Sequence, residues 1–302
     1  MKNSAVLLID CPDCKGLVAR VSGLLYEQGA NILHADQHQD HELGLFFMRV
    51  EWALDGLPDA ANGQVENATV APIERGFDLD GFKAAFRPLA EELGMHWQLT
   101  SVAQRTRVAL FCSQYLHCVA DLLYRWHSSE LLCEIPVIVS NHRDVESLAA
   151  FYRIPFQYMP VTAATRAKTE ARQLKLLRRH GVELVVLARY MQILSPAFVA
   201  NYPAAIINVH HSFLPAFTGA RPYHAAHARG VKLIGATSHY VTKVLDDGPI
   251  IEQDVARISH LDQVGDLVAR GRDLERIVLS RAVHWHLDRR ILCYGNKTVV
   301  FD

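Results

Sequence analysis

The densest run of side chains able to do chemistry is Asn208-Val209-His210-His211-Ser212-Phe213-Leu214-Pro215. Asn208 and His210 lie two residues apart, so on an extended strand they share one face and can point at one ligand. An Asn amide N–H can hold a developing oxyanion, and an imidazole exchanges a proton near neutral pH. Acyl transfer to water or to an amine needs both. A carboxylate that orients or charges the imidazole would complete the set. Val244-Leu245-Asp246-Asp247-Gly248-Pro249 supplies one on a Gly-Pro turn just before a strand, where backbone can come close to a ligand. Spacing alone does not choose between Asp246 and Asp247. The chain holds 16 histidines, and an isolated Asn-x-His is more often structural than catalytic, so the residues by themselves leave the question open.

The rest of the composition narrows what such a site would serve. At 302 residues the chain is long enough for two domains, each with its own core. Half of it is apolar, 21% is charged and the formal net charge is -1. This balance offers no broad attraction to nucleic acid, so a small-molecule ligand is expected. The first residues lack the apolar core and cleavage site of a secretory signal. No apolar run approaches the roughly 20 residues of a membrane span, and the expected location is cytoplasmic. Six scattered cysteines are expected to be free thiols. Cys11-Pro12-Asp13-Cys14 has zinc or disulfide-exchange spacing but no second pair to match it, so it is taken as a turn, with no metal site expected.

The elements that must position these residues fall into two rhythms. Over the first hundred residues, a strand at 5–10, a helix at 16–28, paired strands at 31–41 and 43–54, a helix from Leu79 to Leu93 and a last strand at 95–102 give β-α-β-β-α-β, a ferredoxin-like sandwich. Residues 55–76 are rich in Gly, Pro, Asn and Ala and predict a loop. After the polar bridge Gln104-Arg105-Thr106-Arg107, strand and helix alternate: strands at 108–112, 135–140, 156–160, 184–188 and 206–209, with helices between them. That alternation predicts a doubly wound, mostly parallel sheet. His210 then stands at or beyond the carboxyl end of its strand, the edge where ligand sites gather in open α/β sheets. Strands at 236–242 and 249–257, one or two helices over 261–287 and short extended pieces at 290–301 complete the chain.

Asn208 to Pro215, followed by Leu245-Asp246-Asp247-Gly248-Pro249, resembles the formyltransferase family of folate enzymes, which keeps an Asn-x-His-x-x-x-Leu-Pro strand end and a later Asp-x-Gly turn. The resemblance implies that Asn208 binds the formyl oxygen, that His210 transfers protons, and that Asp246 interacts with His210 and helps position or activate water. Asp247 becomes a turn residue. The stretch from Leu187 to Pro196 resembles the family's folate-binding segment, with Met191, Ile193 and Leu194 matching the apolar residues around the pterin. Periodicity taken alone places the same three residues in a helix core.

Within the family the chain is most similar to the formyltetrahydrofolate deformylases. The match includes Cys11-Pro12-Asp13, Lys15 to Ala19, Asp36-Gln37-His38, Phe46 to Trp52, His117-Cys118 and Arg229 to Thr237. The chain departs from that pattern at Thr218, where Lys is usual, at Cys14, where Arg is common, at Lys243-Val244, and in a loop at 55–76 that looks inserted. Residues 1–104 resemble an ACT domain and 105–302 a formyltransferase-type catalytic domain. The resemblance implies hydrolysis of 10-formyltetrahydrofolate to formate and tetrahydrofolate, in one-carbon and purine metabolism, with no cofactor required. It implies a folate substrate, an amino-acid effector at the ACT domain, and a homo-oligomer, dimer or tetramer, with neither nucleic acid nor membrane as partner. Gly29, Asn31 and Ile32, at the first helix-to-strand turn, are the expected effector or pairing region.

Two other readings compete. Formyl transfer to an amine uses the same three residues, but a phosphoribosyl acceptor favours a glycine-rich turn after the first strand. Here that turn is Cys112-Ser113-Gln114-Tyr115-Leu116-His117. A tRNA acceptor calls for a basic face, which the charge balance does not supply. A non-catalytic amino-acid sensor is disfavoured by an intact Asn208, His210 and Asp246 set.

Overall fold

The structure, a computed structural model, describes residues 3–55, 77–215 and 222–301. The chain divides into two compact units, Met1–Gln104 with Val299–Asp302, and Arg105–Thr298. The loop expected over 55–76 lies, from residue 56 onward, outside the described residues, as does Thr218.

The first unit runs β1 (Ser4–Pro12), α1 (Leu17–Glu27), β2 (Asn31–Asp40), β3 (Leu45–Ala53), α2 (Leu79–Glu92) and β4 (His96–Ser101). Its antiparallel sheet has the order β2-β3-β1-β4. Alternation sorts Leu7 and Ile9 of β1 and Met48, Val50 and Trp52 of β3 onto one buried face. The register sets Leu7 opposite Val50 and Ile9 opposite Met48. Onto that face α1 packs Leu17, Val21 and Leu25, spaced by four, and α2 packs Phe82 and Phe86. Trp52 and Phe82 lie 5.2 Å apart by ring centroid, and Phe82 and Phe86 5.5 Å. Asp78 caps α2 by accepting from the backbone N–H groups of Asp80 and Gly81. β2 is an edge strand, exposed along most of its length.

The second unit continues with β5 (Thr106–Cys112), α3 (His117–His127), β6 (Cys133–Ser140), α4 (Glu146–Phe151), β7 (Phe156–Tyr158), α5 (Arg166–Arg179), β8 (Leu184–Ala188), α6 (Pro196–Val199) and β9 (Ile206–His210). After these come α7 (Pro222–Arg229), β10 (Leu233–Tyr240), β11 (Ile250–Arg257), α8 (Val264–Leu287), β12 (Ile291–Tyr294) and β13 (Lys297–Val300). The sheet order is β11-β10-β9-β8-β5-β6-β7. Strands β7 through β9 in that order run parallel, and β10 and β11 add antiparallel. Leu184 to Ala188 is buried throughout, the mark of a central strand covered on both faces. The chain enters at β5 and builds β6 and β7 to one side, β8 and β9 to the other, so the topological switch lies between β5 and β8.

The segment 261–287, where periodicity allows one or two helices, is a single long helix opened by a capping box between Gln263 and Asp266. Among the described residues no helix is long and apolar enough to cross a membrane.

Candidate active site

Strand register assembles the site. β9 and β10 run antiparallel with Asn208 opposite His239 and His210 opposite Thr237. Directly opposed residues share a face, and so do residues two apart, so Asn208, His210, Thr237 and His239 project to one side. The β10–β11 register shifts between Ser238 and His239, a bulge of the kind that re-aims side chains beside active sites.

Asp246 arrives from the turn after β10. Its backbone φ is +53°, a left-handed conformation that Asp tolerates better than most residues. Gly248 explains why the turn can close: a Cβ there would stand 1.7 Å from the carbonyl oxygen of Tyr240, so only glycine lets the two backbones meet. The N–H of Tyr240 donates to the carbonyl of Pro249 at 2.9 Å, fastening the turn to the end of β10. Asp246 Oδ2 is thereby held 3.2 Å from His210 Nδ1, and Oδ1 lies 3.8 Å from His239 Nε2. Asp247 points into solvent. Of the two carboxylates, the turn brings Asp246 and not Asp247 beside His210.

The protonation pattern follows from these contacts. Burial alone would raise the Asp246 carboxyl, but the hydrogen bond and charge of His210, helped by His239 and His211, outweigh it and hold the group below the usual aspartate range. Asp246 is an anion at neutral pH, and His210 presents its Nδ1–H to it. The opposite nitrogen, His210 Nε2, is buried and has no hydrogen-bond partner among the described residues. His239 is pushed below the usual histidine range by burial, against the opposing pull of the Tyr240 carbonyl and Asp246. It is neutral, with Nδ1–H donating to the Tyr240 carbonyl at 2.9 Å. Its bare Nε2 accepts from Asn208 Nδ2 at 3.3 Å. That contact sets which way the Asn208 amide faces and leaves its second N–H to point elsewhere.

His239 has no counterpart in the sequence reading, nor do Thr237 and Gln253 behind it. Thr237 Oγ1 donates to the carbonyl of Ser212 at 2.8 Å and accepts from Leu214 N at 3.1 Å and Gln253 Nε2 at 3.0 Å. Together they anchor the turn that follows His210. A buried histidine in an otherwise small and polar strand, just before the Asp-Asp-Gly-Pro turn, is the available signal for His239; its partner depends on register.

The loop between β8 and α6 carries the other predicted residues. Met191 N–H donates to Ser113 Oγ at 3.0 Å, which in turn donates to Asn141. At the far end Ser195 caps α6 and is bound by Glu170 through both its N–H and its hydroxyl. Between these pins Met191 is 46% exposed and Ile193 54%, whereas Leu194 is buried in the core. The helix-core placement that periodicity gives is therefore wrong for Met191 and Ile193. The segment is a pinned loop, and the four-residue α6 begins only at Pro196.

In the first unit, Gly29 (φ +77°) ends α1, and Asn31 and Ile32 open β2, all three exposed. Cys11 is buried and Cys14 exposed, and both are free thiols. Among the described residues, ligand atoms of His117, Cys118 and Glu275 lie within 4.8 Å of one another, but both oxygens of that carboxylate are engaged by His117, Arg189 and Tyr223.

Residues 106–283 match the Formyl transferase family and residues 5–61 the ACT domain family. The chain is 50% identical to a formyltetrahydrofolate deformylase from Synechocystis, over 99% of this chain and 98% of that one. It superposes on the crystal structure of a formyltetrahydrofolate deformylase from Pseudomonas syringae pv. tomato with a TM-score of 0.91 at 48% identity, covering 100% of this chain and 95% of the other. A phosphoribosylglycinamide formyltransferase from Anaplasma phagocytophilum is more distant, with a TM-score of 0.60 at 30% identity, covering 66% of this chain and 96% of its own. The chain therefore belongs to the formyltetrahydrofolate deformylase family, an ACT domain joined to a formyl transferase domain.

Proposed function

We propose that the protein hydrolyses 10-formyltetrahydrofolate to formate and tetrahydrofolate, with Asn208, His210 and Asp246 as its catalytic set. The observation that carries this reading is His210 itself: Nδ1 is held by an ionised Asp246, and the buried Nε2, on the strand face that His210 shares with Asn208, has no hydrogen-bond partner among the described residues. An imidazole so held accepts a proton at Nε2 while Asp246 stabilises the imidazolium that forms.

A water oxygen bonds to the formyl carbon as its proton passes to His210 Nε2, and the carbonyl electron pair moves onto oxygen. Asn208 Nδ2 donates to that oxyanion. Collapse breaks the bond from carbon to N10, and N10 takes the proton from His210. Formic acid leaves and ionises in water. No step calls for a cofactor. Met191 and Ile193, exposed on a loop pinned at both ends, supply an apolar surface for the flat pterin. The two relatives similar over nearly the whole chain are named deformylases, and the transferase matches two thirds of it; this favours water over an amine as acceptor.

The same reading extends to the rest of the molecule. It places the protein in the cytoplasm, in one-carbon and purine metabolism. An amino acid would be the effector at the ACT unit near Gly29, Asn31 and Ile32, and the exposed edge strand β2 offers a route to a homodimer or tetramer. The test is incubation of purified protein with 10-formyltetrahydrofolate and no amine, following formate and tetrahydrofolate. Both should accumulate in equal amounts. Background formate, together with formylation of an added amine, contradicts the assignment.

A further inference from the structure

A second buried polar cluster lies in the same unit. Glu275, on α8, is almost fully buried, yet it stays ionised. Burial alone would raise its carboxyl, but the hydrogen bond from His117, the charge of Arg189 and the Tyr223 hydroxyl hold it below the usual glutamate range. His117 Nε2 lies 2.7 Å from Oε2, and the Tyr223 hydroxyl donates to Oε1 at 2.8 Å. Arg189 Nε stands 3.4 Å from Oε2, and its guanidinium lies over the Tyr115 ring at 5.2 Å. Gly271, one turn before Glu275 on α8, makes room for this: a Cβ there would meet the Tyr223 ring at 2.1 Å.

Topology says what this cluster occupies. Tyr115 and His117 follow β5, and Arg189 follows β8, the two strands that flank the topological switch. In doubly wound sheets a ligand crevice opens at the carboxyl ends of those strands. Here that crevice holds a tyrosine ring, an imidazole, a guanidinium and a buried carboxylate, and the turn lining it has no glycine whose backbone could cradle an anion. The cluster also continues to the catalytic histidine. The Tyr223 ring is 6.1 Å from that of His211, which is 5.1 Å from that of His210. Through these ring contacts the filled crevice adjoins the His210 site.

We propose that Tyr115, His117, Arg189, Tyr223 and Glu275 form a plug that excludes amine acceptors and so determines that water receives the formyl group. The inference rests on the hydrolytic reading above and adds the residues that enforce it. They act by exclusion and touch neither folate nor water in the reaction.

The test measures partition. Wild type and the double variant Tyr115→Gly/His117→Gly are given 10-formyltetrahydrofolate with and without glycinamide, and formate and formylglycinamide are quantified. Opening the crevice lets an amine approach in orientation, so the share of formyl captured by glycinamide should rise ~10-fold or more over wild type, while amine-free formate release persists. Unchanged capture with formate release retained overturns the plug. Loss of formate release in a folded variant overturns it too, since the cluster would then serve hydrolysis directly. Should the double variant not fold, Tyr115→Ala leaves the buried bonds to Glu275 in place and is judged by the same two outcomes. Amine-free formate from wild type is a separate readout, and its absence rejects the hydrolytic reading whatever the partition.

Discussion

Two polar clusters in the second unit use the same side-chain types and differ in what their atoms have left to do. Around Glu275 both carboxylate oxygens are taken, by an imidazole and a guanidinium on one side and a phenol on the other. Around His210 the carboxylate is taken, but the far nitrogen of the imidazole has no partner among the described residues. A buried carboxylate with both oxygens engaged is held in place, whereas an imidazole nitrogen left over beside an engaged one is a site for proton transfer. The difference lies in what the acid-base groups have left to do, even though Arg189 Nε, 3.4 Å from Glu275, also makes no hydrogen bond among the described residues.

Perturbing the open cluster should cost turnover at little cost in folding. The largest loss is expected at His210→Ala, about 10³-fold in kcat with a cooperative thermal transition retained. Near-normal turnover would remove the histidine from the reaction. Asn208→Ala should follow, at roughly 10²-fold, because it deletes one oxyanion donor. His239→Ala should cost about 10-fold by freeing the Asn208 amide to turn, and the acceptor in His239→Gln should restore part of that. An unchanged rate in His239→Ala would mean that the contact does not orient the amide.

A smaller effect of another kind is expected at the loop between β8 and α6. Met191→Ala with Ile193→Ala should raise KM about 10-fold with kcat nearly constant, the signature of lost uniform binding. Asp247→Ala, at the exposed neighbour of Asp246, should change either parameter by less than about 2-fold.

The contact between Asp246 and His210 also predicts how stability varies with pH. Asp246 is held below its ordinary range in the fold, so the unfolded chain takes up its proton first as pH falls. The stabilisation is present above an aspartate pKa of about 4 and is lost as pH drops through the lower folded value. The gap in Tm between wild type and Asp246→Asn should therefore narrow from pH 7 to about pH 3. A constant gap would show that the contact to His210 does not bind the proton differently in the two states.

How much of this was legible beforehand depended on whether a feature is local. Alternation in Leu7, Ile9, Met48 and Val50, and the apolar run from Leu184 to Ala188, are local patterns, and the strands lie where they predict. Asn208 and His210 share a face because two residues separate them, whatever the rest of the chain does. His239 needed the β9–β10 register, and Asp246 over Asp247 needed a turn closed by Gly248 against Tyr240. Met191, Ile193 and Leu194 show the converse failure. Helical spacing was present, but Ser113 and Glu170 hold the segment as a loop through contacts 78 and 25 residues away in sequence. The Glu275 cluster gathers α3, α7, α8 and the end of β8, and no short motif announces it.

The central claim is that water attacks the formyl carbon at His210. Reaction in water enriched in heavy oxygen, without any amine, tests it most directly, with formate analysed by mass and tetrahydrofolate by absorbance. The account predicts one heavy oxygen in each formate formed and one tetrahydrofolate per formate, with both products reduced about 10³-fold in His210→Ala. Unlabelled formate, or labelled formate released as fast by His210→Ala as by wild type, would contradict it.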